Sequence, residues 1–320
     1  MLVLETIIKV MIKMSFSLIR INVFFIVSLC LFGCQESNDA SCRGAVPVNF
    51  SDSSIFINTS QNLSVVAGSG NLLALSCHNC YQNNNAFLTD SLNKIDSAIS
   101  SNADLIELDL VFDKQNEVFR VSHEIESNGV LFTQLISQPL LINTPQLLFI
   151  ELKQGISDLS NIRMLFNSLK SHVNSSGQYA YLNQNRFVTI RHIQDNKTLS
   201  RFRQVLTEHE FADISAFVNL SRLYYKKTEA EMLTEIANAH QCGFHMIELD
   251  LRLGVDVILR LNAFAENLGL AVNVFTIINK NVDSTVSALK HDVDVFTIED
   301  SSEELMAGES LILYVKNLLN

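Results

Sequence analysis

The sequence predicts a closed (β/α)8 barrel, a TIM barrel, over residues 71–320. Short β-branched or leucine-rich runs recur eight times after residue 71, and most are followed by a stretch of helical periodicity. Near-continuous apolar runs separated by amphipathic helices are what parallel strands covered on both faces require. A span of about 250 residues is also what eight such units occupy. The competing architecture, an open doubly wound sheet, normally carries a glycine-rich phosphate loop after its first strand. Neither a GxGxxG nor a Walker-type loop occurs in the chain.

The eight runs are "LLALSC", "LIELDL", "LLFIELK", "RFVTIRH", "DISAFVNL", "HMIELDL", "AVNVFTI" and "VDVFTIED". An additional extended piece, "VFRVSHE", follows the second. Helical periodicity is clearest in "TDSLNKIDSAIS", "SNIRMLFNSLKSHV", "EAEMLTEIANAH" and "DVILRLNAFAENL". In the first of these, Leu92, Ile95 and Ile99 share one apolar face, and Asp90 is placed to cap it.

The N-terminus reads as a separate object. Lys9, Lys13 and Arg20 precede the apolar run "INVFFIVSLCLFGC", which is too short to span a bilayer comfortably. A basic front, an apolar centre and a small residue before Cys34 form the layout of an export signal, with Met11 or Met14 as alternative starts. The ending "LFGC" resembles the bacterial lipobox, although Phe32 is bulkier than the usual residue there. Residues 1–33 are therefore expected to be a lipoprotein signal, with Cys34 lipidated. A non-lipidated secretory signal is the alternative. The serine- and asparagine-rich stretch 34–70 reads as a tether. Together these imply a place in the bacterial cell envelope, lipid-anchored or secreted.

Composition bounds the function. The formal net charge of −11 disfavours nucleic acid as a partner, since phosphate contacts need a basic face. After cleavage Cys42, Cys77, Cys80 and Cys242 remain, and an exported compartment permits disulfides. A zinc site would need further Cys or His pairs at finger-like spacing, and the chain has one CxxC.

Barrel chemistry is built at the C-terminal ends of the strands. The first run ends at His78. Glu107 and Asp109 alternate around Leu108 and so point to one side, as do Glu151 and Lys153 around Leu152. His123 closes the additional extended piece. Carboxylates facing an apolar barrel mouth need a counter-charge, which a hard divalent cation, Ca2+ or Mg2+, would supply through Glu107, Asp109 and Glu151. Two imidazoles beside it are suited to acid–base work near neutral pH. His192 ends the fourth run, where a pocket-lining and a surface role are equally open. His245 begins a strand and reads as structural. Glu248 and Asp250 repeat the "IELDL" pattern without a following histidine and read as strand lining, with one of them reaching the site as the alternative.

In this order, "CHNC…LIELDLVFDKQNEVFRVSHE…LLFIELK" resembles the glycerophosphodiester phosphodiesterase family of the PLC-like phosphodiesterase barrels. The resemblance covers most of residues 71–300 and is dense up to Lys153. It implies His78 and His123 as general acid and base, Glu107, Asp109 and Glu151 as metal ligands, and Lys153 near the phosphate. Phe275 stands where the family has tryptophan, and Glu299-Asp300 where an aspartate ends the last strand. Asn79 stands where the family has a phosphate-binding arginine. The family's Glu-Asn-Thr stretch is not recognisable after it, and the segment from His123 to Glu151 is short. Phosphatidylinositol-type phospholipases C and sphingomyelinase D-like enzymes share the fold. The resemblance therefore implies a glycerophosphodiester or phospholipid-derived substrate, with phospholipase action or a non-catalytic binding barrel as alternatives.

Overall fold

A computed structural model of the chain describes residues 73–81, 87–124, 128–183, 186–192, 196–225, 227–299 and 310–319. The expected signal, Cys34, the tether, Cys42 and Asp300 lie outside the described residues.

Eight parallel strands form the barrel wall: β1 (Ala74–Cys77), β2 (Leu105–Asp113), β5 (Leu147–Gln154), β6 (Val188–His192), β7 (Val218–Tyr224), β8 (Met246–Asp250), β9 (Ala271–Ile277) and β10 (Val295–Ile298). Each pairs with the next, and β1 pairs with both β10 and β2, which closes the ring. The predicted barrel is the observed fold. Two short strands, β3 (Val118–Val121) and β4 (Val130–Leu131), extend antiparallel from the upper half of β2. They include the additional extended piece seen in the sequence.

The helices are α1 (Leu88–Ser100), α2 (Phe132–Ile136), α3 (Pro139–Asn143), α4 (Leu159–Lys170), α5 (Asn196–Leu206), α6 (Glu229–Gln241), α7 (Val255–Asn267), α8 (Val282–Leu289) and α9 (Leu311–Leu319). On α1, Ile95 is fully buried and Leu92 and Ile99 pack partly against the same core. The expected cap is corrected: Phe87 occupies the N-cap position and Asp90 lies inside the first turn. An acid there still favours the helix, because it faces the positive end of the helix dipole. On α6, Thr228 and Glu231 form a reciprocal capping box.

One strand differs from expectation. "DISAFVNL" was the fifth apolar run, yet β7 starts only at Val218, after a 3-10 turn at Ser215–Phe217. Phe211 and Ile214 are fully buried in the core, so the first part of this stretch packs the approach to the strand and only Val218, Asn219 and Leu220 enter the sheet.

The interior is layered. Ala74, Leu105, Leu147, Phe149, Phe187, Met246 and Val295 form a separate apolar cluster of inward-facing side chains. They come from the starts of their strands, so they plug the N-terminal end. Further along, the inward positions turn polar: Glu107, Thr189, Glu248, Asn273 and Thr297 are all fully buried. Such groups call for partners: Glu107, Glu248, Asn273 and Thr297 find theirs in the site, whereas the Thr189 hydroxyl has none among the described residues.

Candidate functional site

Register brings the polar residues together. Asp109, Glu151, Arg191 and Ser221 are successive Cα partners across β2, β5, β6 and β7. Four neighbouring strands thus present one row of inward side chains. Glu107 lies one inward step below Asp109 on β2. Oxygens of Glu107, Asp109 and Glu151 lie within 4.8 Å of one another, and all three residues are buried.

The two histidines reach this cluster from loops tied to the sheet. His78 follows β1, and its backbone N–H donates to the Ile298 carbonyl at 2.9 Å. Its Nδ1 contacts Glu299 Oε2 at 2.5 Å, and its Nε2 lies 3.7 Å from Glu107 Oε1. A disulfide joins Cys77 to Cys80 and closes the turn that carries His78 and Asn79. Asn79 adopts φ 50, a left-handed conformation that asparagine tolerates better than most residues. Its side chain lies 3.4 Å from the His78 ring. His123 follows β3. The Ser122 N–H donates to the Asp109 carbonyl at 2.9 Å, which docks the end of the hairpin over β2. His123 Nδ1 then meets Asp109 Oδ2 at 2.8 Å.

Lys153 is not held out for a ligand. Its Nζ lies 2.5 Å from Glu151 Oε1 and 3.1 Å from Asp109 Oδ2. Phe275 is buried, one inward step above Asn273 on β9. His192 departs from the group: Arg191 takes the inward position, and alternation turns His192 to the outward side, level with Leu152 and Arg222. His245 is a structural residue as expected, accepting a hydrogen bond at Nδ1 from the Leu220 N–H.

Two contributors, Arg191 and Tyr81, were missed in the sequence, and Glu248 takes the alternative role open to it. Arg191 is the largest: its Nη2 donates to Glu107 Oε1 at 2.6 Å and also contacts Glu151, while Nη1 donates to Glu248 Oε2 at 2.9 Å. The signal lies in "VTIRH", where Arg191 shares parity with the inward Thr189. Glu248 therefore joins the cluster, and its oxygens also accept from Ser221 and Asn273. Tyr81 is buried, with its hydroxyl 3.4 Å from Asn79 Oδ1.

The electrostatics follow from burial and close charges. Burial alone would lower the His78 pKa, but the Glu107 and Glu299 carboxylates outweigh it and hold the imidazole up at about 9. Burial raises Glu107, with Arg191 and His78 opposing. For Asp109 burial acts upward, yet the His123 hydrogen bond and the Lys153 and Arg191 charges bring the carboxyl below its ordinary range. Burial and the adjacent acids push the Tyr81 hydroxyl far up, so it stays a neutral donor.

Glu107, Asp109 and Glu151 could hold a metal ion. Glu107 Oε2 and Asp109 Oδ1 are buried and have no hydrogen-bond partner among the described residues. Oxygen atoms of that kind are what a hard cation binds, and buried polar atoms rarely stay unpaired. The donor set fits Ca2+ or Mg2+ and offers no thiolate.

No family model matches the chain, and no curated protein does. Solved structures do resemble it. A glycerophosphodiester phosphodiesterase from Parabacteroides distasonis is 14% identical, with a TM-score of 0.53 over 79% of this chain and 98% of that one. A glycerophosphoryl diester phosphodiesterase from Silicibacter pomeroyi is 12% identical, with a TM-score of 0.51 over 73% and 92%. A third, from Galdieria sulphuraria, is 12% identical with a TM-score of 0.50 over 71% and 94%. The likeness is one of fold. At such identities a barrel shared with phosphodiesterases does not fix an activity, because this architecture hosts many chemistries.

Proposed function

We propose that the chain is a divalent-cation-dependent phosphodiesterase that cleaves glycerophosphodiesters to an alcohol and glycerol phosphate. The observation that carries this reading is the meeting of His78, His123, Glu107, Asp109 and Glu151 at the C-terminal end of the barrel, with two acid oxygens left unpartnered.

Glu107, Asp109 and Glu151 would hold the cation. When bound, it supplies positive charge for a non-bridging phosphate oxygen as charge builds at phosphorus. The remaining work falls to the chain's own groups. Glu299 engages His78 at Nδ1, which leaves Nε2 as the nitrogen directed at the centre. His123 meets the centre through Nδ1, against Asp109. One imidazole takes a proton from the attacking oxygen as it bonds to phosphorus: either water, or a substrate hydroxyl whose cyclic phosphate is then opened by water to glycerol phosphate. The other gives a proton to the departing alcohol oxygen as its P–O bond breaks. Tyr81 and Asn79 stand beside His78 as neutral hydrogen-bonding groups for the diester, in place of the family's arginine. Anchoring at the cell envelope through lipidated Cys34 forms part of the same proposal, and it would place the enzyme near phospholipid-derived diesters.

Purified chain assayed with glycerophosphocholine, glycerophosphoinositol and a chromogenic diester, with EDTA, Ca2+ or Mg2+, tests the reading. Cation-dependent release of glycerol phosphate is the expected result. No turnover of any diester with any cation would overturn it, and release of headgroup from liposomes alone would redirect it to intact lipid.

A further inference from the structure

We propose that Arg191 is a resident counter-cation of the acidic centre, set among carboxylates that would otherwise call for a second metal ion, so that the chain binds one divalent cation. This rests on the reading of Glu107, Asp109 and Glu151 as a cation site. Four carboxylates meet around two basic side chains: Glu107, Asp109, Glu151 and Glu248 surround Arg191 and Lys153. With these six side chains ionised, and His78 balanced by Glu299, four negative charges less two positive ones leave two, which is the charge of one divalent ion.

The hydrogen bonds divide the oxygens in the same way. Both oxygens of Glu151 are engaged, one by Arg191 and the other by Lys153. Both oxygens of Glu248 accept from donors, Arg191 and Asn273 on one and Ser221 on the other, so it stands as a carboxylate. Glu107 and Asp109 each keep one oxygen unpartnered. Arg191 therefore takes one oxygen each of Glu107, Glu151 and Glu248 and leaves Glu107 Oε2 and Asp109 Oδ1, both on β2, for the ion. Its guanidinium also lies over the Phe149 ring, 4.9 Å from the ring centre, above the apolar plug. A flat, permanently charged group is suited to that floor, since it is less strongly hydrated than an ammonium.

A counter-cation repels the metal it stands beside. Arg191→Gln keeps a hydrogen-bond donor and removes the charge, so it should bind Ca2+ or Mg2+ at least about ten-fold more tightly than wild type, given the strength of unit charges at these separations. It should also melt lower in EDTA and show a larger cation-induced rise in melting temperature. Arg191→Lys, which keeps the charge, should bind near wild-type affinity. Calorimetric titration of EDTA-stripped full-length protein with each cation, together with thermal melts, reads all of this. One tight equivalent in wild type and tighter binding in Arg191→Gln are the expected results. Equal or weaker binding by Arg191→Gln, or two tight equivalents in wild type, would overturn the proposal while leaving the phosphodiesterase reading intact. Should Arg191→Gln fail to fold even with cation present, the wild-type stoichiometry and the Arg191→Lys affinity still decide it: a single tight equivalent with near wild-type binding by Arg191→Lys supports the assignment, and any other combination overturns it. Absence of any cation binding in wild type would instead remove the cation site itself.

Discussion

Replacing His123 by alanine should separate catalysis from stability more cleanly than any other change at the centre. The His123 side chain is 51% exposed, and its recorded ion pair is with Asp109 Oδ2 at 2.8 Å. Asp109 keeps Lys153 at 3.1 Å after the imidazole is gone, so its charge stays compensated. Asp109 itself is fully buried, so the lost hydrogen bond to its carboxylate should cost about 1–3 kcal/mol. Loss of a general acid or base costs on the order of 10²–10⁴ in rate, which is about 3–5 kcal/mol of barrier. Turnover should therefore fall by about 3–5 kcal/mol in barrier terms while stability falls by only about 1–3 kcal/mol. Initial rates on a chromogenic diester at saturating cation, set beside urea melts of the same preparations, give both numbers. His123→Gln should behave like the alanine variant, because it cannot shuttle a proton. Either variant keeping more than about a third of wild-type kcat/KM would refute the role assigned to His123.

The other predictions address the cation, the core and acid stability. Glu107→Gln should lose the cation-induced rise in melting temperature along with activity, since Glu107 Oε2 is one of the two unpartnered oxygens; an undiminished shift in scanning fluorimetry would show that the ion sits elsewhere. Phe166→Ala should cost about 3–5 kcal/mol in chemical denaturation, because the ring is fully buried and packs edge-on to Phe202 and tilted to Phe211, each at 5.7 Å. Burial, with Arg203 nearby, pushes His245 down to about 3, whereas an unfolded histidine titrates near about 6.5. The folded state thus binds fewer protons in that interval, so the contribution is fully present above about pH 6.5 and is lost as pH falls toward 3. His245→Gln should flatten the acid limb of stability measured between pH 7 and pH 4, and an unchanged slope would assign the acid sensitivity to other groups.

By itself the sequence determined the barrel and which side chains of the candidate site share one face of their strands. Parallel strands buried on both faces must be written as apolar runs, and the helices between them as one-sided stripes, so both patterns survive in one dimension. Alternation along a strand is equally local, which is why Glu107 with Asp109, and Glu151 with Lys153, could be read as facing one way. Tertiary structure decided who stands next to whom. Arg191 lies 84 positions from Glu107 along the chain and 57 from Glu248, and only the strand-to-strand register of a closed sheet brings the guanidinium between them. The same closure seats Glu299 against His78 across 221 positions. It also turned His192 outward, because once Arg191 takes the inward place its neighbour cannot share it. Charge balance in a buried centre is a sum over strands that never touch in sequence, so it becomes visible only when the ring has closed.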